Sequence, residues 1–444
     1  MKKLRFSSVQ VIALGFLLMI LCGAVLLWLP VSSAEHVHTP FADCLFTATS
    51  ASCVTGLVVA DTGTHWSMFG QIVLLVLIQI GGLGFMSVSA FFLMMLRRRI
   101  GLRFRVILVD SINYSQIGDA LPFLRRILLG TLGFEGIGAL LLAIRFVPMF
   151  GPGRGIYFSI FHAITAFCNA GFDLFGSVSG PYSSLVMFSG DWLVNLVICA
   201  LILIGALGFW VWSDLYNRRF RIGRCSLHTK LTLTASVILV IGGTLLFRLL
   251  ENANFSGLPE GEKWLCALFD AVTPRTAGFN TTDTAALSDG SMLLTYLLMF
   301  IGGGSGSTAG GMKMTSVAVV MLFVIAGIRN QEQATAFGRT IPETVLRSAL
   351  TVIFMNAAFA FTGAVCICAL DGIPLSDVLF ETISAVSTVG MTTGITRDLG
   401  TVSRIIIIFL MYCGRVGSVS FALAMIAKRH RIQITLPSET VQVG

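Results

Sequence analysis

A short polar stretch ending in glycine recurs four times along this chain, each time behind a helix-like apolar segment. TATSASCVTGL closes on Gly56 and Leu57, AITAFCNAGF on Gly171, AVTPRTAGF on Gly278 and ISAVSTVGM on Gly390. These glycines stand 115, 107 and 112 residues apart, so four units of about 111 residues fill the 444 positions. A second landmark keeps the same order. IGGLGF from Ile80, IGALGF from Ile204, IGGGSGSTAGG from Ile301 and CGRVG from Cys413 bring their first glycine 25, 34, 24 and 24 residues beyond the marker. The chain therefore divides into repeats at 1–105, 106–225, 226–338 and 339–444, all running in one orientation.

What surrounds the repeats excludes a soluble protein. Apolar residues make up 55% of the chain and charged ones 12%, with a mean hydropathy of +0.87, against roughly 25% charged in a typical globular chain. Each unit reads as outer span, short amphipathic helix, polar loop and inner span. In the first copy these are a helix from Val9 to Leu29, a short helix from Pro40 to Ser52, the loop Cys53–Gly56 and one continuous helix from Met68 to Leu96. The first span is long enough to cross hydrocarbon and lacks a small-residue cleavage site, so it reads as a helix and not a signal peptide. A helix near 13 residues rises only about 20 Å and cannot cross a bilayer core of about 30 Å. The short helices are expected to dip in and return, which leaves eight spans.

The 30 Lys and Arg follow those spans instead of forming one patch. Twenty-one of them, from Lys2 through Arg97–Arg105, Arg218–Lys230 and Arg329–Arg347 to Arg431, fall between alternate spans. The positive-inside rule makes those segments and both termini cytoplasmic. The same count sets Arg275 with the outer segments, where 15 acidic residues against seven basic ones concentrate cations. The basic excess is a topology signal, and no nucleic-acid surface is read from it.

Four re-entrant loops want a common axis, because non-helical backbone at membrane depth is tolerated only where protein buries it or it lines a water-filled cavity. There the main-chain oxygens of Val54, Thr55 and Gly56, of Asn169, Ala170 and Gly171, of Thr276, Ala277 and Gly278, and of Thr388, Val389 and Gly390 can replace the water around a dehydrating cation. A lone glycine in a span is ordinarily a packing contact. Four at near-equal spacing behind too-short helices point to a filter.

In the third unit the inner span is broken by Gly302, Gly303, Gly304, Ser305, Gly306, Ser307, Thr308, Ala309, Gly310 and Gly311, and resumes only after Lys313. So poor a helix sequence is expected to form a constriction, placed near the cytoplasmic end of the pore by its distance from Gly278. Lys313 is counted with this segment as part of the gate, with snorkelling to the cytoplasmic interface as the alternative. Arg415 lies mid-span after IIIIFLMYC and must find a partner, since a bare Arg at the bilayer centre costs at least about 2.5 kcal/mol. It is expected just under the filter, bonded to carbonyls of the glycine-rich stretch. A barrier to flux and an inter-helix clamp both remain open for it. Glu135, in an outer span, is expected to make a structural hydrogen bond.

The filter segments TATSASCVTGL, FCNAGF, VTPRTAGFN and STVGMTTG, with IQIGGLGFM, SLHTKL, GGGSGSTAGGMK and CGRVG, resemble the potassium-translocating membrane subunits of the Trk/Ktr/HKT superfamily over essentially the whole chain, most nearly the bacterial Ktr subunit. The resemblance implies an all-α polytopic membrane protein of four outer helix–pore helix–filter–inner helix repeats in pseudo-fourfold, potassium-channel-like array. It implies a homodimer in the bacterial cytoplasmic membrane, carrying a cytoplasmic ring of nucleotide-binding regulatory subunits of the RCK/KTN type. It also implies a gating role for segment 302–311 and for Arg415. Glycine at all four filter positions favours K+ over Na+; a Na+-conducting or Na+-coupled member of the same fold is the alternative. Nothing in the chain reads as an enzyme: HExxH, GxSxG and facing intramembrane carboxylates are absent from the sequence. All repeats run the same way, unlike the inverted repeats of many secondary transporters. No cofactor is expected; K+ is substrate, with Na+ open as a coupling or activating ion. The six histidines and ten cysteines show no metal-ligand spacing, and the cysteines read as small buried hydrophobes.

Overall fold

The computed structural model describes residues 7–95, 104, 106–107 and 120–417. The chain termini, most of the basic stretch Arg97–Arg105 and the tail Arg429–Gly444 lie outside the described residues. Each unit begins with a long apolar helix: α1 Ser8–Trp28 in unit 1, α5 Ala120–Phe150 in unit 2, α9 Leu227–Leu250 in unit 3 and α13 Glu343–Asp371 in unit 4. All four are long and apolar enough to cross a membrane. Two two-residue strands, β1 Thr335–Ala336 and β2 Arg339–Thr340, pair between units 3 and 4 and are the only strands among the described residues.

The short helices are α2 Phe41–Cys53, α6 Pro152–Phe167, α10 Glu260–Val272 and α14 Leu375–Ser387. A proline opens every one of them, Pro40, Pro259 and Pro374 at the N-cap and Pro152 at the first position. There its fixed φ suits the first turn and its missing N–H costs nothing. Asp43, Glu260 and Glu262, and Asp377 fill the first turns of α2, α10 and α14, where carboxylates favour the positive end of the helix dipole. Toward their C-termini these helices turn polar yet buried, as Thr47, Thr49, Ser50 and Ser52 in α2 show. Protein, not lipid, surrounds those ends.

The inner spans depart from the sequence expectation. In place of one helix from Met68 to Leu96, unit 1 has α3 Met68–Leu83 and α4 Phe85–Met95, bent by 98°. Unit 2 repeats the break between α7 Trp192–Leu207 and α8 Phe209–Asn217, bent by 88°. Gly84 and Gly208 occupy the corners at φ of +84° and +101°, a conformation that favours glycine because it has no Cβ. In unit 4, α15 Thr401–Val416 ends at Gly417 with φ +94°. Unit 3 is interrupted for longer, between α11 Asp289–Phe300 and α12 Met314–Ile328. Among the described residues, counting each bent pair as one span raises the number of segments long and apolar enough to cross from four to as many as six; the eight-span reading adds the shorter α11 with α12, and α15.

Inner spans seat on the ends of the short helices through their glycines. A Cβ on Gly81, Gly205 or Gly414 would run into the main-chain oxygen of Ser52, Phe167 or Val386. Each of those residues precedes its own marker glycine by four. Gly302 meets no such neighbour; a Cβ there would face Met312 O at 2.8 Å, inside its own segment. Units 1, 2 and 4 thus share one packing rule, and unit 3 breaks it.

Candidate functional site

The four polar loops close into a ring. A Cβ added to Gly56 would come within 2.5 Å of Ala170 O, one on Gly171 within 2.8 Å of Ala277 O and one on Gly278 within 2.6 Å of Val389 O; one on Gly390 would strike Thr55 O. Each glycine therefore abuts the carbonyl that precedes the glycine of the next loop. The order runs from unit 1 through 2, 3 and 4 back to 1. Only glycine fits such an approach. All twelve sequence-predicted loop residues meet here, and every one but the half-buried Gly171 is buried.

Backbone hand alternates within each loop. φ is positive at Val54 and Gly56, at Asn169 and Gly171, at Thr276 and Gly278, and at Thr388 and Gly390, but not at the residue between. Left-handed backbone at a β-branched residue costs about 1–2 kcal/mol and persists only where its surroundings impose it. Loop N–H groups turn back toward the helices. Thr55, Ala170 and Val389 donate to the carbonyls of Ser50, Thr165 and Ser384, each at 2.8 Å. Gly56 and Gly390 donate to the Oγ of Ser50 and Ser384 at 3.0 and 3.1 Å. Among the described residues, no main-chain or side-chain donor reaches the carbonyls of the twelve loop residues. Buried carbonyls are ordinarily paired, so these are set to accept something else. The short helices end at the same ring and add the partial negative charge of their C-termini.

Above the ring lies a cavity of about 270 Å³ lined by all four glycines together with Asp61, Asp173, Asp283 and Arg397. Burial and the neighbouring Asp61 push the Asp173 carboxyl up to about 7. Arg397 stacks over Tyr182 at 4.3 Å on the same rim.

Directly beneath the ring is segment 302–311, which corrects the sequence expectation of a constriction near the cytoplasmic end. The reason is length. After an outer excursion the inner span restarts at Asp289, and the 12-residue α11 descends only about 18 Å. The segment is held, not slack. Gly304 and Thr308 donate from their N–H groups to Ala206 O at 2.7 Å and Gly205 O at 3.3 Å, and Phe209 N–H donates to Gly306 O at 2.8 Å. Gly302 N–H donates to Met312 O and Met314 N–H to Gly303 O, both at 3.0 Å. A Cβ on Gly310 would collide with Thr388 of the unit 4 filter.

Arg415 lies beneath the filter as the sequence indicated and reaches the glycine-rich segment. Its Nη1 donates to Thr308 O at 2.5 Å, and its Nη2 donates to Gly81 O and, at 3.2 Å, to Gly82 O. One side chain from unit 4 thereby joins unit 3 to unit 1. Lys313 does not snorkel outward; its Nζ turns back to donate to Ala309 O at 2.7 Å and Gly310 O at 3.2 Å, carbonyls only four and three residues before it in the chain. Gly306, Ser307, Ala309, Gly311, Lys313 and Arg415 line a second cavity of about 300 Å³. It shares no lining residue with the outer one.

Glu135 accepts from Gln79 at 3.2 Å and from the thiol of Cys168 at 3.9 Å, a structural bond as expected, tying the unit 2 loop to units 1 and 2. Arg275 departs from its outer assignment. It is fully buried behind the unit 3 filter, with Nη2 donating to Ser236 Oγ at 3.1 Å while Nε and Nη1 have no partner among the described residues. A rule that counts Lys and Arg by loop cannot see this. The sequence marks Thr308 only as one of the ten residues of its segment, and the helix-opening prolines emerge from the structure. For the prolines a signal was available, since one stands 16 or 19 residues ahead of every marker glycine. Among the described residues no cluster of His, Cys, Asp and Glu has the makings of a metal site.

Four short helices that end at one ring of loops, inside a bundle of helices long and apolar enough to cross a membrane, define a membrane protein of the re-entrant-loop class. Residues 8–433 match the TrkH family of cation transport proteins, and the chain belongs to that family. It is 41% identical over 447 residues to the Ktr system potassium uptake protein B of Bacillus subtilis, covering 100% of this chain and 98% of the relative. It is 39% identical over 449 residues to the potassium/sodium uptake protein NtpJ of Enterococcus hirae, covering 99% and 98%. To the Ktr system potassium uptake protein B of Vibrio alginolyticus it is 36% identical over 447 residues, covering 100% and 96%. The crystal structure of the potassium transporter TrkH from Vibrio parahaemolyticus shares its fold, with a TM-score of 0.73 at 18% identity over 93% of this chain and 84% of that one.

Proposed function

We propose that this chain is the membrane subunit of a Ktr-type system and conducts K+ into the cell through a gated, K+-selective pore. The single observation that supports this most is the closed ring of filter loops, whose unpartnered carbonyls offer a dehydrated cation a substitute for its water. Acidic residues at the outer cavity raise the local cation concentration. The ion sheds water at the ring, held by Val54–Gly56, Asn169–Gly171, Thr276–Gly278 and Thr388–Gly390, one repeat each from 1–105, 106–225, 226–338 and 339–444. Segment 302–311 and Lys313 then bar the way to the inner cavity as the gate, with the Arg415 guanidinium as a positive barrier across the path. No covalent chemistry is involved and no cofactor is required of this chain.

The working unit in this reading is a homodimer in the bacterial cytoplasmic membrane, surrounded by lipid, with both termini inside. The Ktr system names of the relatives support a partner component, read here as a ring of nucleotide-binding regulatory subunits docked on the basic cytoplasmic loops. Na+ conduction or Na+-coupled K+ uptake is the second reading, supported by the potassium/sodium name of the Enterococcus hirae relative.

Rubidium and sodium uptake into liposomes holding the purified chain tests both. Wild type should prefer Rb+, and Gly56→Ser should erode that preference by setting a side chain against Ala170 O. Equal uptake of the two ions by wild type would remove K+ selectivity and leave the pore; no flux with the regulatory partner supplied would remove the pore as well.

A further inference from the structure

Three of the four filter loops meet the glycine-rich segment only through packing or not at all; the unit 2 loop is hydrogen-bonded to it. Thr308 is fully buried. Its hydroxyl is shared between Phe167 O, the last carbonyl of α6, at 3.1 Å and Asn169 Oδ1 at 3.3 Å. The amide nitrogen of Asn169 donates in turn to Thr276 Oγ1 of the unit 3 filter at 3.3 Å. An amide has one end to accept and one to donate, so Asn169 carries the connection onward without leaving a polar atom unmatched. The corresponding residues in the other loops make no such pair of bonds: Val54 has no polar side-chain atom, the Thr276 hydroxyl accepts from Asn169, and the Thr388 hydroxyl has no partner among the described residues. Gly205 seals the space, since a Cβ there would stand 2.9 Å from both Asn169 Oδ1 and Thr308 Oγ1. On its other side the Thr308 carbonyl accepts from Arg415.

We propose that Thr308 is a positioning residue for the filter: through Asn169 and Thr276 it makes the place of the glycine-rich segment and the cation affinity of the ring depend on each other. This rests on the reading of the ring as the K+ filter. If the segment moves, Asn169 loses the donor that faces it while still buried, and a buried polar group left unmatched is destabilised. Its strained left-handed backbone, at φ +60°, then loses a support. By linkage, whatever the segment does to ion affinity the ion does to the segment. A latch that only opened and closed the path would change how many pores conduct and leave untouched how tightly each binds its ion.

Concentration-dependent Rb+ uptake by the full-length chain in liposomes, with Na+ uptake beside it, separates the two. Thr308→Val keeps the shape and removes the hydroxyl. It should raise the KM for Rb+ by about threefold or more, as one lost hydrogen bond implies, and lower the Rb+/Na+ ratio. Thr308→Ser, which keeps the hydroxyl, should recover both. Asn169→Ala cuts the same connection from the filter side and serves if Thr308→Val fails to reach the membrane; it should shift KM alike, and the two changes together should add little to either alone. A higher maximal rate with KM and ion ratio unchanged in both variants would overturn the coupling while leaving the K+ pore standing. Loss of Rb+ preference in wild type would instead overturn the reading beneath it.

Discussion

The outer and inner halves of this pore obey different rules. At the filter the four units are near equivalents: each loop turns left-handed two residues before its glycine, and each glycine meets the next loop's carbonyl. Beneath it the equivalence fails in one place. Gly81, Gly205 and Gly414 seat their spans on the short helices, whereas unit 3 replaces that contact with a segment bonded to unit 2, packed under unit 4 and held by Arg415. In the proposed reading, dehydrating a cation requires oxygens from all sides, which near-symmetry supplies, whereas controlling passage needs only one part that differs, and concentrating the difference in one unit leaves the ring intact.

The largest effect should come from breaking the ring. Gly390→Ala sets a Cβ into Thr55 O at a φ of +91° and should lower Rb+ uptake by about a hundredfold or more. Gly327→Ala, with nothing within 4 Å, should leave uptake at the wild-type level in the same assay. Next is the asymmetric half. Arg415→Ala removes charge-assisted bonds to Thr308, Gly81 and Gly82, and uptake at equal membrane expression should rise by about tenfold; wild-type flux would leave Arg415 a clamp and nothing more. A smaller change is expected behind the filter. Arg275 puts an unscreened cation at the end of one short helix alone, so Arg275→Met should tighten apparent Rb+ affinity about threefold.

The smallest effect concerns the outer cavity. With its carboxyl raised to about 7, Asp173 is protonated and neutral below that pH and anionic above it. K+ entry at low ionic strength should therefore rise about twofold as external pH goes from about 6 to 8, and Asp173→Asn should flatten the rise. For stability the sign is opposite. The folded chain retains a proton that the unfolded chain releases from about 3.8, so this group's contribution falls as pH climbs from there through about 7.

How much of this was legible in the sequence follows from what a linear pattern can carry. Four glycines near 111-residue spacing, each behind a helix too short to cross, placed the loops and implied a shared axis. A lone Arg415 after four isoleucines implied a partner. The corners at Gly84 and Gly208 are not legible because a glycine within an apolar run reads equally as close helix packing. The depth of segment 302–311 escaped it because counting residues from Gly278 ignores the outer excursion before Asp289. Arg275 lies in the VTPRTAGFN stretch as read, but its burial is not legible because charge counting assigns a residue to a side and has no term for depth. Thr308 gave no signal of its own: among the small residues of its segment a threonine looks ordinary until folding brings it against Asn169.

The most direct measurement is the anomalous density of Rb+ or Tl+ bound to the crystallised chain. A peak on the axis encircled by the carbonyls of the Gly56, Gly171, Gly278 and Gly390 loops is the predicted result. Density elsewhere in the membrane portion, with that ring empty and closed by side chains, would contradict it.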